Sequence, residues 1–557
     1  MLILGFNSTH DASAALVRDG AVVGAVEEER LSRRKHHYGF PERALDELLR
    51  AAGARFEDLD HAAFYWNPRR GLVRFGLHVL RHLPGSLAYF RRQPGIFRDF
   101  LALPRLLRDR YGFRGRFHFV DHHLAHAASA YYLSGFDDAA ILTVDGTGEW
   151  TTTFLARGQG DAIVPLEEVR YPHSLGKVYE ALTQYLGFRP LSGEGKVMGL
   201  ASYGRPSYRE AFERILPRNG HWDFRVDTGF FRYQLGNDVK YSDRLVELLG
   251  PPRAPESAIE PRHQDIAASL QERIEEEALR LAAHLHRRAP SRNLCLAGGV
   301  ALNCVMNGRL LRESGFREVF VCPAAGDAGS ALGAALEVHR RVAGRAPRAT
   351  LARTDLGPAF GEEECAAALR AAGVPFTRER DVTARTAELL AGGRVVGWFQ
   401  GRMEYGPRAL GQRSILADPR DPAMKDTVNL RVKRREGFRP FAPAVPLEDA
   451  DRFFEDARPS PFMLFAFRVR PEARALLGAV THVDGTARVQ TVDAREHPRF
   501  HRLLRAFGAR TGVPVLLNTS MNVRGEPLVC RPEEAVACFL GTELDALVLG
   551  DLVAVKP

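Results

Sequence analysis

Asp121-His-His-Leu-Ala-His126 is the stretch of this 557-residue chain best suited to holding a metal. His122 and His126 are four apart, so on a helix both imidazoles project from one face, while His123 points elsewhere. Carboxylates at strand ends can complete such a pair. Asp145 follows the apolar run Ala139–Val144 and opens a glycine turn, and Asp327 lies at a helix start in Ala324-Ala-Gly-Asp-Ala-Gly-Ser330. An N-cap would by itself account for Asp327, and a surface pair for the histidines. Together, two histidines and one or two aspartates suit iron or another divalent metal with an open coordination position.

Glycine turns and arginine clusters point to phosphate. Gly298-Gly299-Val-Ala-Leu-Asn303 follows a strand and leads into a helix, a geometry that aims backbone N–H groups at an anion and lets a nucleotide approach. Gly193-Glu-Gly195-Lys196 is a comparable loop for phosphate oxygens, the plainer reading being a tight turn with exposed charges. Three basic stretches follow: Gly406-Pro-Arg408-Ala-Leu-Gly411, Lys433-Arg-Arg-Glu-Gly-Phe-Arg439 and His482-Val-Asp-Gly-Thr-Ala-Arg488. Arginines near Gly and Pro turns suit bidentate recognition of phosphate or carboxylate, although solvated surface arginines would look the same. Asn518, Ser520 and Asn522 come just after an expected buried strand, placed to orient a nucleotide or a small acyl group.

These residues need elements to carry them. Strands are expected at Leu2–Phe6, Ser13–Arg18 and Ala21–Glu27, with a helix over Pro41–Ala52. A similar strand–polar turn–strand unit returns at Ala139–Thr143 and Trp150–Leu155, which suggests a duplicated α/β core. Between them Arg69–Phe113, broken by Pro84, Pro94 and Pro104, reads as several short amphipathic helices in an insertion. A long helix at Ile266–Arg287, strands at Asn293–Ala297 and Val319–Cys322, and helices from about Ala301 and Asp327 imply doubly wound structure. Val342–Thr354 reads as a linker. Beyond it, helices at Glu362–Ala372 and Ala384–Ala391 and strands at Arg394–Phe399, Ala487–Val492 and Val513–Leu517 make a second α/β module.

Bulk properties agree with a multidomain globular protein. Hydrophobic residues make up 45% and charged residues 26%, enough for real cores in two or three domains. Lys and Arg exceed Asp and Glu by 77 to 68, a mild surplus that suits anionic metabolites as well as nucleic acid. Six scattered cysteines without a C-x-x-C pair suit reduced core thiols, which argues against a zinc ribbon or a disulfide scaffold. No apolar run is long enough to span a bilayer and no signal peptide is read, so the cytoplasm is the expected location, with no membrane partner.

Nine motifs spread from end to end carry a resemblance: HDASAALV (His10–Val17), HHLAHAASAYY (His122–Tyr132), VDGTGEW, GEGKVMGLASYG, LAGGVALNCVMN, GPRALGQRSILADPR, FRPFAP, HVDGTARVQTV and LNTSMNVRGEP. Together they resemble the O-carbamoyltransferase family, whose members act on nodulation factors, cephamycins, tobramycin and other antibiotics. The resemblance implies an α/β protein with a duplicated actin/Hsp70-like (RNase H-like) module over 1–341, insertion 69–113 included. A linker over 342–354 would lead to a threonylcarbamoyl-adenylate-synthase-like module over 355–557. That module would form carbamoyl adenylate from carbamoyl phosphate and ATP with Mg. Arg408, Lys433, Arg439 and Arg488 would meet the phosphate-bearing substrates, and Asn518, Ser520 and Asn522 would line the same site. The adenylate would then be held by Gly298, Gly299 and Asn303 of the first module, with Gly195 and Lys196 as further phosphate ligands. His122, His126, Asp145 and Asp327 would ligate Fe(II), and His10 would be general base for a small hydroxylated acceptor. No nucleic-acid partner is implied, and acceptor identity and oligomeric state stay open. Two alternatives are a tRNA threonylcarbamoyl transferase-like enzyme and an actin/Hsp70-like ATP-binding regulator. The motifs running through both modules weigh against the first, and the histidine pair with the arginine loops against the second.

Overall fold

Leu2-Ile-Leu-Gly-Phe-Asn is almost wholly apolar, and it forms a strand buried along its whole length, β1 (Leu2–Asn7). The computed structural model describes residues 1–218, 220–347 and 350–557, and their side chains except at 72–73 and 87–94. The chain divides into two units: Met1–Val23, Tyr38–Pro41 and Leu49–Thr350, and Gly24–His37, Glu42–Leu48 and Leu351–Pro557.

β1, in the first unit, is central to a sheet with β2 (Ser13–Arg18), β3 (Ala21–Glu27, of which the first unit holds the residues up to Val23), β4 (His61–Phe64) and β5 (Arg116–Phe119), in the order β3-β2-β1-β4-β5. A second sheet contains β6 (Asp138–Val144), β7 (Thr151–Gln159), β8 (Ala162–Arg170), β9 (Asn293–Ala297) and β10 (Glu318–Val321), in the order β10-β9-β6-β7-β8. In each sheet the first strand is antiparallel to the second and parallel to the fourth, which is parallel to the fifth. The same topology twice over is the actin/Hsp70-like, RNase H-like duplication. The doubly wound expectation needs correcting to this extent: both sheets are mixed, because β2 and β7 return through tight turns instead of helical crossovers.

Two helices, His122–Tyr131 and Asp327–Ala343, pack against each other, and the second also lies on β1 and β2. Small residues make this approach possible. A Cβ on Gly333 would stand 1.8 Å from the Ala125 carbonyl oxygen, and one on Gly5 would stand 1.9 Å from that of Ala331. Neither site can take a side chain without backbone displacement.

The insertion departs from the expected series of short helices. It contains a helix at Leu72–Arg81 and one continuous 25-residue helix, Leu87–Tyr111, which runs through Pro94 and Pro104. Each interior proline costs roughly 3 kcal/mol. Burial of Phe100, Leu103 and Leu107 on that helix returns about 1.5–3 kcal/mol each, enough to offset much of the loss. Gly195 and Lys196 sit in the first turn of a helix, Glu194–Ala201, and not in a loop, with the Gly193 carbonyl accepting from Lys196 N–H at 2.8 Å.

The second unit contains an eight-stranded mixed sheet. Its strands are β11 (Thr377–Arg378), β12 (Val396–Phe399), β13 (Arg413–Ala417), β14 (Ala442–Pro446), β17 (Gln490–Val492), β18 (Leu516–Ser520), β19 (Ala546–Leu549) and β20 (Leu552–Val555). Their order is β11-β20-β19-β12-β13-β18-β14-β17, and β15 (Ala466–Arg468) pairs with β16 (Thr486–Arg488) beside it. The expected strand Ala487–Val492 is split at Val489, because its first part pairs with β15 and its second with β14. Helices Val382–Ala391 and Pro498–Thr511 bury Leu390, Phe500, Leu504 and Phe507 against Trp398, Leu416 and Leu516 of the sheet. The strand expected at Val513–Leu517 is displaced: β18 runs to Ser520, so Asn518 and Ser520 lie within it. In the expected linker, the helix begun at Asp327 continues to Ala343, and residues 348 and 349 lie outside the described residues. All six cysteines are free and buried. Among the described residues, no helix is long and apolar enough to cross a membrane.

Candidate functional site

The packing of the two helices brings their N-terminal ends together, and with them the histidines and Asp327. His122 Nε2 lies 3.0 Å from His126 Nε2 and 3.2 Å from Asp145 Oδ2. Asp327 Oδ1 is 3.7 Å from both Nε2 atoms. One ligand atom from each of the four residues lies within 4.8 Å of every other. Metal–ligand bonds of about 2.0–2.2 Å put neighbouring ligand atoms roughly 3–3.5 Å apart and opposite ones roughly 4 Å apart, so this donor set fits a divalent cation. Both histidines are fully buried and Asp145 nearly so, whereas the Asp327 side chain is 22% exposed and marks the solvent side of the cluster. Burial opposes the His122 imidazolium, but Asp145 and Asp327 outweigh it and push the group up to about 9. Burial likewise opposes the Asp145 carboxylate, and the hydrogen bond from His122 overcomes it, holding Asp145 below the usual carboxylate range.

The surroundings fix these four groups. Asp145 directly follows β6, and its Oδ1 accepts from the Gly299 N–H at 2.7 Å. The glycine turn expected to meet a nucleotide therefore spends that N–H on orienting a carboxylate of the cluster. Gly298 has φ +89°, and a Cβ there would meet the Val144 carbonyl at 2.3 Å, so only glycine allows this approach. His123 is no ligand; its Nδ1 pairs with Thr143 Oγ1 at 2.6 Å and its Nε2 with the Thr151 carbonyl at 2.9 Å. Glu149 Oε1 accepts from the backbone N–H of His122 at 3.0 Å and of Asn67 at 2.8 Å, which anchors the start of the histidine helix.

Asn7 joins the His10 loop to the cluster. Its buried amide donates to the carbonyls of Asp11 at 2.9 Å, Asp327 at 3.1 Å and His10 at 3.3 Å. His10 Nδ1 lies 3.1 Å from Asp11 Oδ2. Burial lowers the His10 pKa, and the Asp11 hydrogen bond and charge reverse the effect and raise it above the ordinary value. Asn303 has its amide committed: Oδ1 accepts from Met306 N–H and from Gln271 Nε2, both at 3.0 Å, and Nδ2 donates to Gln271 Oε1 at 2.8 Å. The Lys196 ammonium stands 5.5 Å above the Phe188 ring.

The second unit gathers the other predicted residues around buried positive charge. Lys433, 2% exposed, donates to the Ser520 carbonyl at 2.6 Å and the Asn522 carbonyl at 2.7 Å, and also reaches both side chains. Burial first, then repulsion from Arg435, drives the Lys433 pKa well below its ordinary value. Arg435 and Arg439 are both lowered, again by burial first, with the Arg488 charge contributing to each. Glu436 is a distant counter-charge, 3.8 Å from Arg439 and 4.0 Å from Arg524. Asn518, 1% exposed, donates to Gln490 Oε1 at 2.8 Å and lies next to the Arg408 loop, its Nδ2 being 3.4 Å from the Ala409 carbonyl. The sequence reading missed Asn7, Glu149, Gln271, Arg435 and Gln490. Arg435 had a signal as a member of the basic stretch it shares with Lys433 and Arg439, and Glu149 and Gln490 as members of the VDGTGEW and HVDGTARVQTV motifs.

Comparison with known proteins covers nearly the whole chain. Residues 2–336 match the family model described as carbamoyltransferase N-terminus, and residues 387–556 the one described as carbamoyltransferase C-terminus. The nodulation protein NolNO of Sinorhizobium fredii is 43% identical over 98% of this chain and 79% of its own length. The 3'-hydroxymethylcephem-O-carbamoyltransferase of Streptomyces clavuligerus is 30% identical over 99% of this chain and 98% of its own. The protein sll1178 of Synechocystis sp. is 43% identical over 100% of this chain and 96% of its own.

Proposed function

The chain belongs to the carbamoyltransferase family, and from that premise we propose that it forms carbamoyl adenylate from carbamoyl phosphate and ATP and passes the carbamoyl group to a hydroxyl of a small molecule. The observation that carries this reading is the gathering of Lys433, Arg435, Arg439 and Arg488, close enough that neighbouring positive charges help to lower Lys433, Arg435 and Arg439. Cations drawn this close repel one another, and a polyanionic substrate bound among them relieves that repulsion. Arg408, Lys433, Arg439 and Arg488 are assigned to the phosphate-bearing substrates, with Asn518, Ser520 and Asn522 as their support.

In the first half-reaction carbamoyl phosphate takes up one water and releases inorganic phosphate and a proton, leaving carbamate. A carbamate oxygen bonds to the α-phosphorus of ATP, and pyrophosphate leaves. The arginines bind the phosphates, offset charge on the leaving group and displace water from an intermediate that water would destroy. In the second half-reaction the acceptor hydroxyl bonds to the carbamoyl carbon, AMP departs, and the hydroxyl proton goes to His10. With its Nδ1 proton turned to Asp11, His10 presents Nε2 as the basic nitrogen. His122, His126, Asp145 and Asp327 would hold a divalent cation, with Fe(II) our assignment, which would polarise the carbonyl or offset charge on the adenylate phosphate. Gly298, Gly299 and Asn303 shape the adenylate side of this site, and Gly195 and Lys196 are assigned to its phosphate.

The test is mass spectrometry of the chain with carbamoyl phosphate, ATP, Mg and a library of hydroxyl compounds. A product gaining one carbamoyl group is expected, and failure of carbamoyl phosphate to elicit pyrophosphate release would overturn the reading. His10→Ala is expected to stop transfer and leave pyrophosphate release intact; equal loss of both removes His10 from the base role.

A further inference from the structure

Arg408 stands on a loop whose backbone is held almost entirely by buried side chains. Gly406 has φ +112° and Gly411 φ +103°, conformations that favour glycine, and a Cβ on Gly411 would come within 2.5 Å of the Phe500 ring. Within the loop, Glu404 is 1% exposed, and its Oε1 accepts from the N–H groups of Leu410 and Gln412 at 2.8 Å and of Arg413 at 3.0 Å. Gln490 Nε2 donates to the Leu410 carbonyl at 2.8 Å, and Trp398 Nε1 to that of Gly411 at 3.0 Å.

The other end of the loop is held from the opposite end of the sequence. Glu27 and Arg30, 4% and 5% exposed, belong to the segment Gly24–His37 of the second unit. Glu27 Oε1 accepts from the Gly406 N–H at 2.8 Å, and Arg30 donates through one guanidinium nitrogen to the Gly406 carbonyl at 2.8 Å. Both polar groups of that peptide residue are thus gripped at once. The grip is braced by Arg30 itself, 2.7 Å from Glu29 Oε1 and 3.4 Å from Glu27 Oε1. Pro407 has no N–H to satisfy and is exposed, and Arg408 is partly exposed, so these two form the crest between the fixed ends.

We propose that Glu27 and Arg30 are positioning residues that hold the crest of the Gly406–Gly411 loop, and so Arg408, in the geometry that receives a substrate phosphate. This rests on the assignment of Arg408 made above. A bidentate guanidinium is useful only if its fork is aimed, and a flexible crest would pay the ordering cost at each binding event. The two side chains act through the Gly406 peptide and need not touch substrate.

The experiment is a double-mutant cycle on the full chain, read as carbamoyl-phosphate-dependent pyrophosphate release with KM resolved for each substrate. Glu27→Ala is expected to raise KM about tenfold for the same substrate that Arg408→Ala affects, and to add less than about twofold in the Arg408→Ala background. Glu27→Gln keeps an oxygen for the Gly406 N–H and is expected to recover most of the loss. If the two losses multiply, the positioning role is overturned while the assignment of Arg408 stands. If Arg408→Ala changes neither KM nor kcat, the assignment fails and the positioning role falls with it. Should Glu27→Ala fail to fold, the same cycle is run with Arg30→Lys, which shortens the reach to the Gly406 carbonyl.

Discussion

The Asp145 carboxylate is buried beside an imidazole and the Gly299 N–H, whereas the Glu28 carboxylate, also buried, accepts from the Ala44 N–H at 2.7 Å. Burial pushes Glu28 up to about 7, against the lesser pull of the backbone hydrogen bond and Arg43. Between the ordinary value of 4.5 and about 7, the folded chain keeps a proton on Glu28 that the unfolded chain releases. Stability therefore falls as pH rises through that window and levels off above it. Glu28→Gln is expected to flatten this slope, seen as a urea midpoint that gains on the parent between pH 5 and 7.5; a constant difference would contradict it. Asp145→Asn is expected to lower the cation content of purified protein tenfold or more, on the order of the loss when a ligand or its close support is removed, as measured by elemental analysis. The gathering of His122, His126, Asp145 and Asp327 was legible because two histidines four apart on a helix and carboxylates at element ends are the residue types a cation site would call for. Asn7 and Gln271 were not, because a polar side chain whose partners are distant in the chain follows no local pattern.

At the scale of elements, the cluster depends on how closely two helices approach. Gly333→Ala would force the Asp327–Ala343 helix away from the Ala125 carbonyl and carry Asp327 off His122 and His126. A loss of about 1–3 kcal/mol in unfolding free energy is expected, the usual cost of overpacking, together with a fall in bound cation. Calorimetry and elemental analysis on one sample test both. Helices and long strands such as Ser13–Arg18, Asn293–Ala297 and Asp327–Ala343 stood close to where periodicity put them. The short strands His61–Phe64 and Arg116–Phe119 did not show, since four residues carrying His or Arg give too few alternations to separate from a loop. Leu87–Tyr111 escaped for the opposite reason: its prolines read locally as stops, and the apolar packing that overrides them is visible only in three dimensions.

For the whole molecule, two repeated sheets and a separate mixed sheet imply a division of labour that cation removal can test. Protein stripped of its cation by a chelator, freed of the chelator and returned to Mg-ATP is expected to lose carbamoyl transfer to the acceptor and keep carbamoyl-phosphate-dependent pyrophosphate release; loss of both would argue that the stripped cation serves the first half-reaction. The duplication was faint in the sequence because its two copies are interrupted unequally. Residues 28–60 separate the third and fourth strands of the first sheet, and residues 171–292 those of the second.

The assignment of Gly24–His37 to the second unit also shapes how the chain is made. This segment leaves the ribosome roughly 300 residues before the body of its unit begins at Leu351. At ordinary elongation rates that is a wait on the order of tens of seconds. An apolar strap would spend the interval as a sticky tail on a nascent chain. One built around Glu27, Glu28, Glu29 and Arg30 stays well hydrated until its docking partner has been synthesised.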